Sequence, residues 1–392
     1  MFSEISNLRA TLNSTSIAEL HVRFYVNLCR LSGYSPFSWD SEMNQVTVRK
    51  DKWKMKNNKV ALALYFGVFI AMIYKLGLDC ILKKPEDGKQ NDSKQFLIGV
   101  IFLLIQVNGA TYFSLVEYHG PAYAALLNEI IRKSRRQGIH KGIKIALNTL
   151  MISVAFMSVI TFLVIAISQE NLPLPASLIL RTSLPKNNWM TRVLILSITL
   201  ITLRSITCYW FMGITVFCGL FLSVGTLWES TRKLYNMVQK KKSKLSHQFT
   251  MYLRTQLLCC YTNLCFQKTI FFWLTIIISA IDVICLTTCL LASGTLAPGL
   301  IVIMMLLSLH VNIVSIFEYR LPGIMNQMSK DIIQAWKSNN QKGRRSWEAK
   351  FVRSCSELRI RFGEVNFFDT STGLIVLNYK IQQIISFVLI GR

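Results

Sequence analysis

Seven long apolar runs, separated by polar segments, organise this chain. Each run is about the length of helix, roughly 20 residues, that crosses the ~30 Å hydrocarbon core of a bilayer. The runs cover residues 60–82, 96–116, 145–167, 193–222, 270–293, 300–317 and 372–390. The pattern therefore predicts an all-α membrane protein with seven transmembrane helices, preceded by a polar N-terminal segment over residues 1–59.

Basic residues alternate between the two sides of these runs. Of the 44 Lys and Arg residues, 33 lie in the N-terminal segment and in the second, fourth and sixth loops, and only 8 lie on the opposite side. Because positively charged loops stay in the cytoplasm, the distribution predicts a cytoplasmic N-terminus and an external C-terminus. This orientation is the reverse of that of G-protein-coupled receptors.

Composition agrees with a single polytopic membrane domain over residues 60–392. The hydrophobic share is 52% and the mean hydropathy is +0.38, too apolar for a soluble protein of 392 residues. The net charge of +24 is divided among the predicted cytoplasmic loops. It therefore indicates attraction to anionic membrane lipids and not binding of nucleic acid.

The cysteines and the sequons add little chemistry. Cys259, Cys260 and Cys265 cluster without the spacing of a zinc site, so the sequence predicts that they pack, with no metal or other cofactor. Asn91 begins the one sequon on the predicted outer side and is a candidate for glycosylation, whereas the sequon at Asn13 would be cytoplasmic.

Two cytoplasmic segments have helical apolar spacing. The spacing continues beyond the fourth run through residues 226–269, with a break at the basic run 240–242. It also continues beyond the sixth run through residues 321–366, with a loop at 339–345. These patterns predict long amphipathic helices that project from the membrane and pack on one another or on other subunits.

The seventh run has a polar centre, with four polar residues in its middle: Asn378, Lys380, Gln382 and Gln383. A central Lys alone costs ~2.5 to 3.5 kcal/mol on insertion scales, so this helix should not face lipid. At about 100° per residue, one narrow face holds the candidate pore-lining residues, and Lys380 points roughly 100° away from Tyr379. These residues are Thr372, Tyr379, Gln383, Ser386 and Ile390. The alternative is interhelical hydrogen bonding within a sealed bundle.

Other runs place polar residues near the middle of the membrane. The candidates are Gln106, Asn108, Arg204, Asp282 and His310, with Asn312 next to the last of them. They allow two interpretations. Arg204 and Asp282 neutralise each other as a structural ion pair, or the group lines a cavity that binds a ligand.

Short motifs in a fixed order resemble those of the insect gustatory receptors. Gly33, Pro36 and Phe37, followed by Asp40, are similar to the segment that precedes the first helix of that family. The pair Phe362-Gly363 and the triplet Phe367-Phe368-Asp369 are similar to the segment that leads into the last helix of that family. The family's Thr-Tyr and Gln-Phe signature in that helix has two possible registers here, at Asn378 or at Ser386.

The resemblance implies a ligand-gated, non-selective cation channel of four subunits in the plasma membrane of sensory neurons. The seventh helix would line a central pore, the cytoplasmic helices would join the subunits, and a pocket between the second and sixth helices would admit a small-molecule tastant. The partners would be copies of this chain or related receptor subunits. The sequence does not specify the ligand.

Three other classes of protein fit the sequence less well. A secondary transporter would show internal repeats and paired Gly or Pro breaks, which the chain lacks. A seven-helix receptor that signals through a partner is opposed by the predicted orientation. The sequence has no phosphate loop and no HExxH or Gly-x-Ser-x-Gly motif, so it predicts no enzyme.

Overall fold

The computed structural model describes residues 17–31, 36–48, 118–135, 189–240, 244–292, 298–339 and 347–390, with isolated helical positions between residues 63 and 115. The described helices are α1 (Ile17–Leu31), α2 (118–135), α3 (Trp189–Gln239), α4 (Leu245–Phe266), α5 (Phe272–Ala292), α6 (Pro298–Asn339), α7 (Trp347–Ser354) and α8 (Thr372–Ile390). Two antiparallel hairpins accompany them, β1 (Phe37–Asp40) with β2 (Gln45–Val48), and β3 (Arg361–Phe362) with β4 (Asn366–Phe367).

Three of the described helices are long and apolar enough to cross a membrane. They cover Phe272–Leu291 of α5, Ile301–Ser338 of α6 and the whole of α8. At 1.5 Å per residue, α6 is about 63 Å long, roughly twice the thickness of the hydrocarbon core, so much of it projects beyond the membrane. The predicted runs at 60–82, 96–116 and 145–167 lie largely outside the described residues, and seven spans stay a prediction.

Helix α4, the C-terminal part of α6 and helix α7 pack around an aromatic cluster, formed by Phe249, Tyr252, Trp336, Trp347 and Phe351. Trp336 is fully buried, and its ring centre lies 5.0 Å from that of Phe249 and 5.3 Å from that of Tyr252. The indole Nε1 donates a hydrogen bond of 2.9 Å to Gln248. The rings of Phe249, Tyr252 and Trp336 are buried against one another, and Phe249 also contacts the rings of Trp347 and Phe351 in α7. The cluster therefore holds α4, α6 and α7 together.

The segment after α7 is extended, although its apolar spacing predicted a helix as far as residue 366. The helix ends at Ser354, and residues 355–360 run alongside α4 and α6. Side chains of those helices satisfy its backbone: Ser329 accepts from the amide of Leu358, and Asn263 bonds the carbonyl of Arg359. These bonds replace the i→i−4 bonds of a helix, so the backbone remains paired without helical structure.

A π-helical segment, Gln267–Phe271, joins α4 to α5. It holds the β3–β4 hairpin through two hydrogen bonds between Gln267 and Gly363, 3.0 Å from the Gly363 amide and 2.6 Å to its carbonyl oxygen. Gly363 has φ +66°, a conformation that glycine adopts at little cost. The hairpin therefore sits at the junction between α4 and α5.

The first hairpin is attached to α2 by side chains. Asn128 accepts from the amide of Val46 at 2.7 Å and donates to its carbonyl at 2.8 Å, so it pairs with the strand edge. Phe37, from the Pro-Phe motif, is buried with its ring 5.4 Å from that of Tyr123. Tyr123 donates in turn to the carbonyl of Thr215 in α3 at 2.8 Å.

A close contact in α6 generates the first prediction. A Cβ added at Gly323 would collide with the backbone oxygen of Asp369, whereas one added at Gly299 in the same helix would meet nothing within 4 Å. Gly323→Ala should therefore lower the melting temperature of the purified protein, since one of two backbone segments must move. Gly299→Ala should leave it unchanged or slightly raise it, because Ala is the better helix former. Equal melting temperatures for the two variants would contradict the contact.

Candidate functional site

Helix α8 begins at a cap formed by Asp369. Its Oδ1 atom accepts hydrogen bonds from the amides and hydroxyls of Ser371 and Thr372, at 2.8 to 3.0 Å. Partial burial alone would raise the pKa of Asp369, but these bonds outweigh burial and hold its pKa below the usual value of 3.8. Asp369 is therefore charged at neutral pH and satisfies the first amides of the helix.

The aromatic side chain of Phe368 fixes the position of this cap. Phe368 is fully buried, and its ring centre lies 4.7 Å from that of Phe362, 5.3 Å from that of Phe271 and 5.8 Å from that of Tyr319. The start of α8 is thereby anchored to the hairpin, to the π-helical segment and to α6. The Phe-Phe-Asp motif at 367–369 thus has a structural role, since Phe368 anchors the segment in the aromatic contacts and Asp369 caps the helix.

Beyond this cap, α8 has few intramolecular contacts. Thr372 and Lys380 are its buried residues, and large apolar side chains such as Leu374, Ile375 and Leu389 are 64 to 70% exposed. The exposed residues also include the polar Asn378 and Gln382. Much of the surface of this helix is therefore available to lipid, water or other subunits.

The one charged residue of α8 is buried in an ion pair. Lys380 Nζ lies 2.9 Å from Asp282 Oδ2 in α5, and the two side chains are only 4% and 3% exposed. The other carboxylate oxygen accepts from Ser308 Oγ at 2.5 Å and from Asn312 Nδ2 at 2.9 Å. Asp282 is therefore neutralised by α8 and oriented by α6, so it joins three helices.

Asp282 pairs with a different residue from the one that the sequence suggested. The predicted ion pair joined Asp282 to Arg204, whereas the structure pairs Asp282 with Lys380. Arg204 lies in α3, and its side chain is outside the described part of the chain. A signal was available in the sequence, because Lys380 and Asp282 both lie near the middle of their runs and carry opposite charges.

The Asp282 site belongs to a longer polar surface between α5 and α6. We call it the polar seam, formed by Thr275, Ser279, Asp282, Ser308, Asn312, Ser315, Glu318 and Tyr319. On α5 the spacing is i, i+4, i+7, which places the three residues on one face. The seam is bonded across the helices by Ser308 to Asp282 and by Thr275 to Glu318, the latter at 3.2 Å.

The candidate pore-lining residues occupy different environments. Tyr379 is 55% exposed and Ile390 is 82% exposed. Ser386 is exposed and bonds the carbonyl of Gln382 within the helix, and Gln383 is half-buried. Thr372 is buried, and its hydroxyl takes part in the cap. Four of the five therefore lie on accessible or partly accessible surface.

The other candidate residues are not part of the polar seam as the structure describes it. His310 is half-buried on α6, two residues from Ser308 and thus about 200° around the helix from it. Gln106, Asn108 and Asn91 lie outside the described residues. The part of the chain that the structure describes contains no group of three or more His, Cys, Asp or Glu residues placed to hold a metal ion.

Two of the three clustered cysteines pack as the sequence predicted: Cys259 and Cys265 are buried, whereas Cys260 is exposed. Burial raises the pKa of the Cys259 thiol to about 12 and that of the Cys355 thiol to about 11. Cys259 Sγ also lies 3.4 Å from the carbonyl oxygen of Arg359, to which it donates. Thiols with raised pKa values are poor nucleophiles and poor metal ligands at neutral pH.

Comparison with solved structures identifies the fold. The chain is similar to the olfactory receptor OR5 of the insect Machilis hrabei, with a TM-score of 0.58 and 14% sequence identity. The same receptor in complex with eugenol gives 0.57 and 13%. Each comparison covers 95% of this chain and 99% of the receptor chain. No protein-family model matches the chain, and no curated protein sequence matches it significantly.

These comparisons extend over nearly the whole length of both chains. The chain therefore has the fold of this insect olfactory receptor. The resemblance that the short motifs indicated is thus supported at the level of the fold.

The ion pair generates the second prediction. Asp282→Leu or Lys380→Met alone should lower the free energy of unfolding by ~3 to 5 kcal/mol, because each leaves an unpaired buried charge. The double variant should recover much of this loss. Thermal unfolding of the purified protein, read by loss of the monodisperse chromatographic peak, measures the effect.

An exposed ion pair in the same chain supplies the control. Lys268 and Glu364 lie 3.2 Å apart, with side chains 70% and 77% exposed. Lys268→Met should change the melting temperature little, since exposed pairs contribute little. A double Asp282→Leu and Lys380→Met variant as unstable as the sum of the two single variants would mean that the two residues do not interact.

Proposed function

We propose that this chain is a chemoreceptor, a subunit of a ligand-gated, non-selective cation channel in which α8 lines the pore. The likeness in fold to an insect olfactory receptor that was solved with eugenol supports a receptor for small molecules. The motifs that resemble those of gustatory receptors support a tastant as the ligand. The proposed assembly is a tetramer of this chain, or of this chain with related subunits.

The exposure of α8 is the observation that carries this proposal. The helix is long enough to span a membrane, yet only Thr372 and Lys380 are buried in one subunit. Lipid on every exposed side would place Asn378 and Gln382 in hydrocarbon, where polar side chains are unfavourable. Copies of α8 around a shared water-filled axis would satisfy these groups and would form a conduction path.

The ion pair explains how such a path could carry cations. Four Lys380 ammonium groups on the axis would repel cations. Because the ammonium is buried against Asp282 at 2.9 Å, its charge is neutralised and directed away from the exposed surface of α8. The uncharged side chains of Tyr379 and Ser386 would then line the ion path.

Gating follows from the same connection. A ligand that binds one arrangement of α5, α6 and α8 more tightly than the other shifts the population toward it. Asp282 is bonded to both α6 and α8, so a change at the candidate cavity would reach the pore helix through it. Gln106, Asn108, Arg204 and His310 remain proposed cavity residues in this scheme.

Placement in the membrane completes the proposal. The basic loops favour a cytoplasmic N-terminus, which would put the glycosylation candidate Asn91 outside the cell. The projecting ends of α4 and α6, with their aromatic cluster, would then lie in the cytoplasm and join the subunits. The proposed location is the plasma membrane of sensory neurons.

Cysteine substitution along α8 tests the proposed pore. In cells that give a ligand-evoked current, Tyr379→Cys and Ser386→Cys should lose most of that current after exposure to a charged thiol reagent, since the added charge would stand in the ion path. Val376→Cys is the matched control, because Val376 packs against the core of its own subunit and its modification should be slow. The unsubstituted chain, treated identically, corrects for its native cysteines.

Two results would contradict the proposal. Equal block at Tyr379, Ser386 and Val376 would mean that the accessible surface of α8 is not an ion path. A reversal potential that follows the gradient of the applied ligand, and not the gradients of Na⁺ and K⁺, would indicate a transporter.

A further inference from the structure

A second carboxylate is buried at one end of the polar seam. Glu318 in α6 is 5% exposed, and its Oε1 atom accepts from Thr275 Oγ1 at 3.2 Å. Its Oε2 atom has no hydrogen-bond partner among the described residues. The small cavity beside it is lined by apolar side chains of α3, α5 and α6, such as Phe221, Leu274 and Val314.

The charges around Glu318 do not balance if every group is ionised. The ammonium of Lys380 is bonded to Asp282, although it is still close enough to attract Glu318. Two carboxylates and one ammonium leave one net negative charge in apolar surroundings. An isolated buried carboxylate costs so much that such a group normally becomes neutral instead.

The neighbouring groups offer no second positive charge in the described part of the chain. On α5 the seam consists of Thr275, which donates to Glu318, and of Ser279 and Asp282 further along the helix. On α6 the adjacent titratable group is the buried phenol of Tyr319. The residues of α3 that line the adjoining cavity are apolar. From α8 only Lys380 faces Glu318 with a charge.

We propose that the polar seam binds a proton at Glu318, so that this carboxyl is neutral while Lys380 pairs with Asp282. The proton removes the excess negative charge and turns the carboxyl into a hydrogen-bond donor. Ser279 and Tyr319, both buried, lie in the same part of the seam, and Tyr319 is close enough to Glu318 to interact with its charge. Their hydroxyl oxygens are groups of the seam that can accept a hydrogen bond.

This proton is linked to the position of α8. Once Glu318 loses its proton, it becomes a second anion that attracts Lys380 and weakens the pair with Asp282. Deprotonation therefore favours a different position of the Lys380 side chain. Conversely, the arrangement of α8 described here binds the proton more tightly than an arrangement in which Lys380 has moved toward Glu318. Only the further step, from that position to current, rests on the proposed channel.

Infrared spectroscopy of the purified full chain in lipid nanodiscs tests the site without any ion flow. At neutral pH the protein should show the carbonyl absorption of a protonated carboxyl, and Glu318→Gln should lose it. Glu364→Gln, which removes an exposed carboxylate, should keep it. In the wild-type protein the band should disappear as the pH is raised.

Thermal stability gives a second, independent readout. Glu318→Gln should melt close to the wild-type temperature at neutral pH, since Gln resembles the protonated acid, whereas Asp282→Asn should melt well below it. A band that survives in Glu318→Gln, or a melting temperature in that variant as low as in Asp282→Asn, would overturn the proposal. So would stabilisation by Na⁺ that Glu318→Gln abolishes, because a metal cation would then supply the charge. Neither readout depends on current, so failure here is separate from failure of the proposed channel.

Discussion

The buried pair between Lys380 and Asp282 determines how the last helix sits on the rest of the subunit. A lysine in the middle of a membrane helix must find a counter-charge, since either charge alone would be unfavourable there. Replacing such a pair with apolar side chains often costs little, so the pair contributes less to net stability than to specificity. Because one face of α8 must present Lys380 to α5, the rotation of α8 about its axis is fixed.

The remaining contacts of α8 fix its position along its own axis and the residue at which it begins. Asp369 caps the first turn, Phe368 fills an aromatic pocket, and Gly323 allows the backbone at Asp369 to approach α6. Although these contacts determine the rotation of α8 and its position along its axis, most of the surface of the helix is still exposed. A helix held so firmly at one face and one end, and so little elsewhere, suits the lining of a pathway that changes width.

The sequence predicted the parts that depend on local pattern. Helical spacing in the last run separated Lys380 from Tyr379, and the structure confirms this, with Lys380 buried and Tyr379 exposed. That α8 does not face lipid stays a prediction. The partner of Asp282 was harder to infer from the sequence. Arg204 and Lys380 both lie near the middle of their runs, so either could neutralise Asp282, and only the packing of α8 on α5 selects Lys380. Residues 355–360 show the same limit, since their helical spacing was overridden by hydrogen bonds from Asn263 and Ser329.

Imaging of the full chain in lipid tests the proposed pore most directly. Electron cryo-microscopy should show Lys380 Nζ within hydrogen-bond distance of Asp282 in every subunit, with Tyr379 and Ser386 beside the central axis. A density map with Lys380 on the axis, or with α8 surrounded by lipid at the periphery of the assembly, would contradict it.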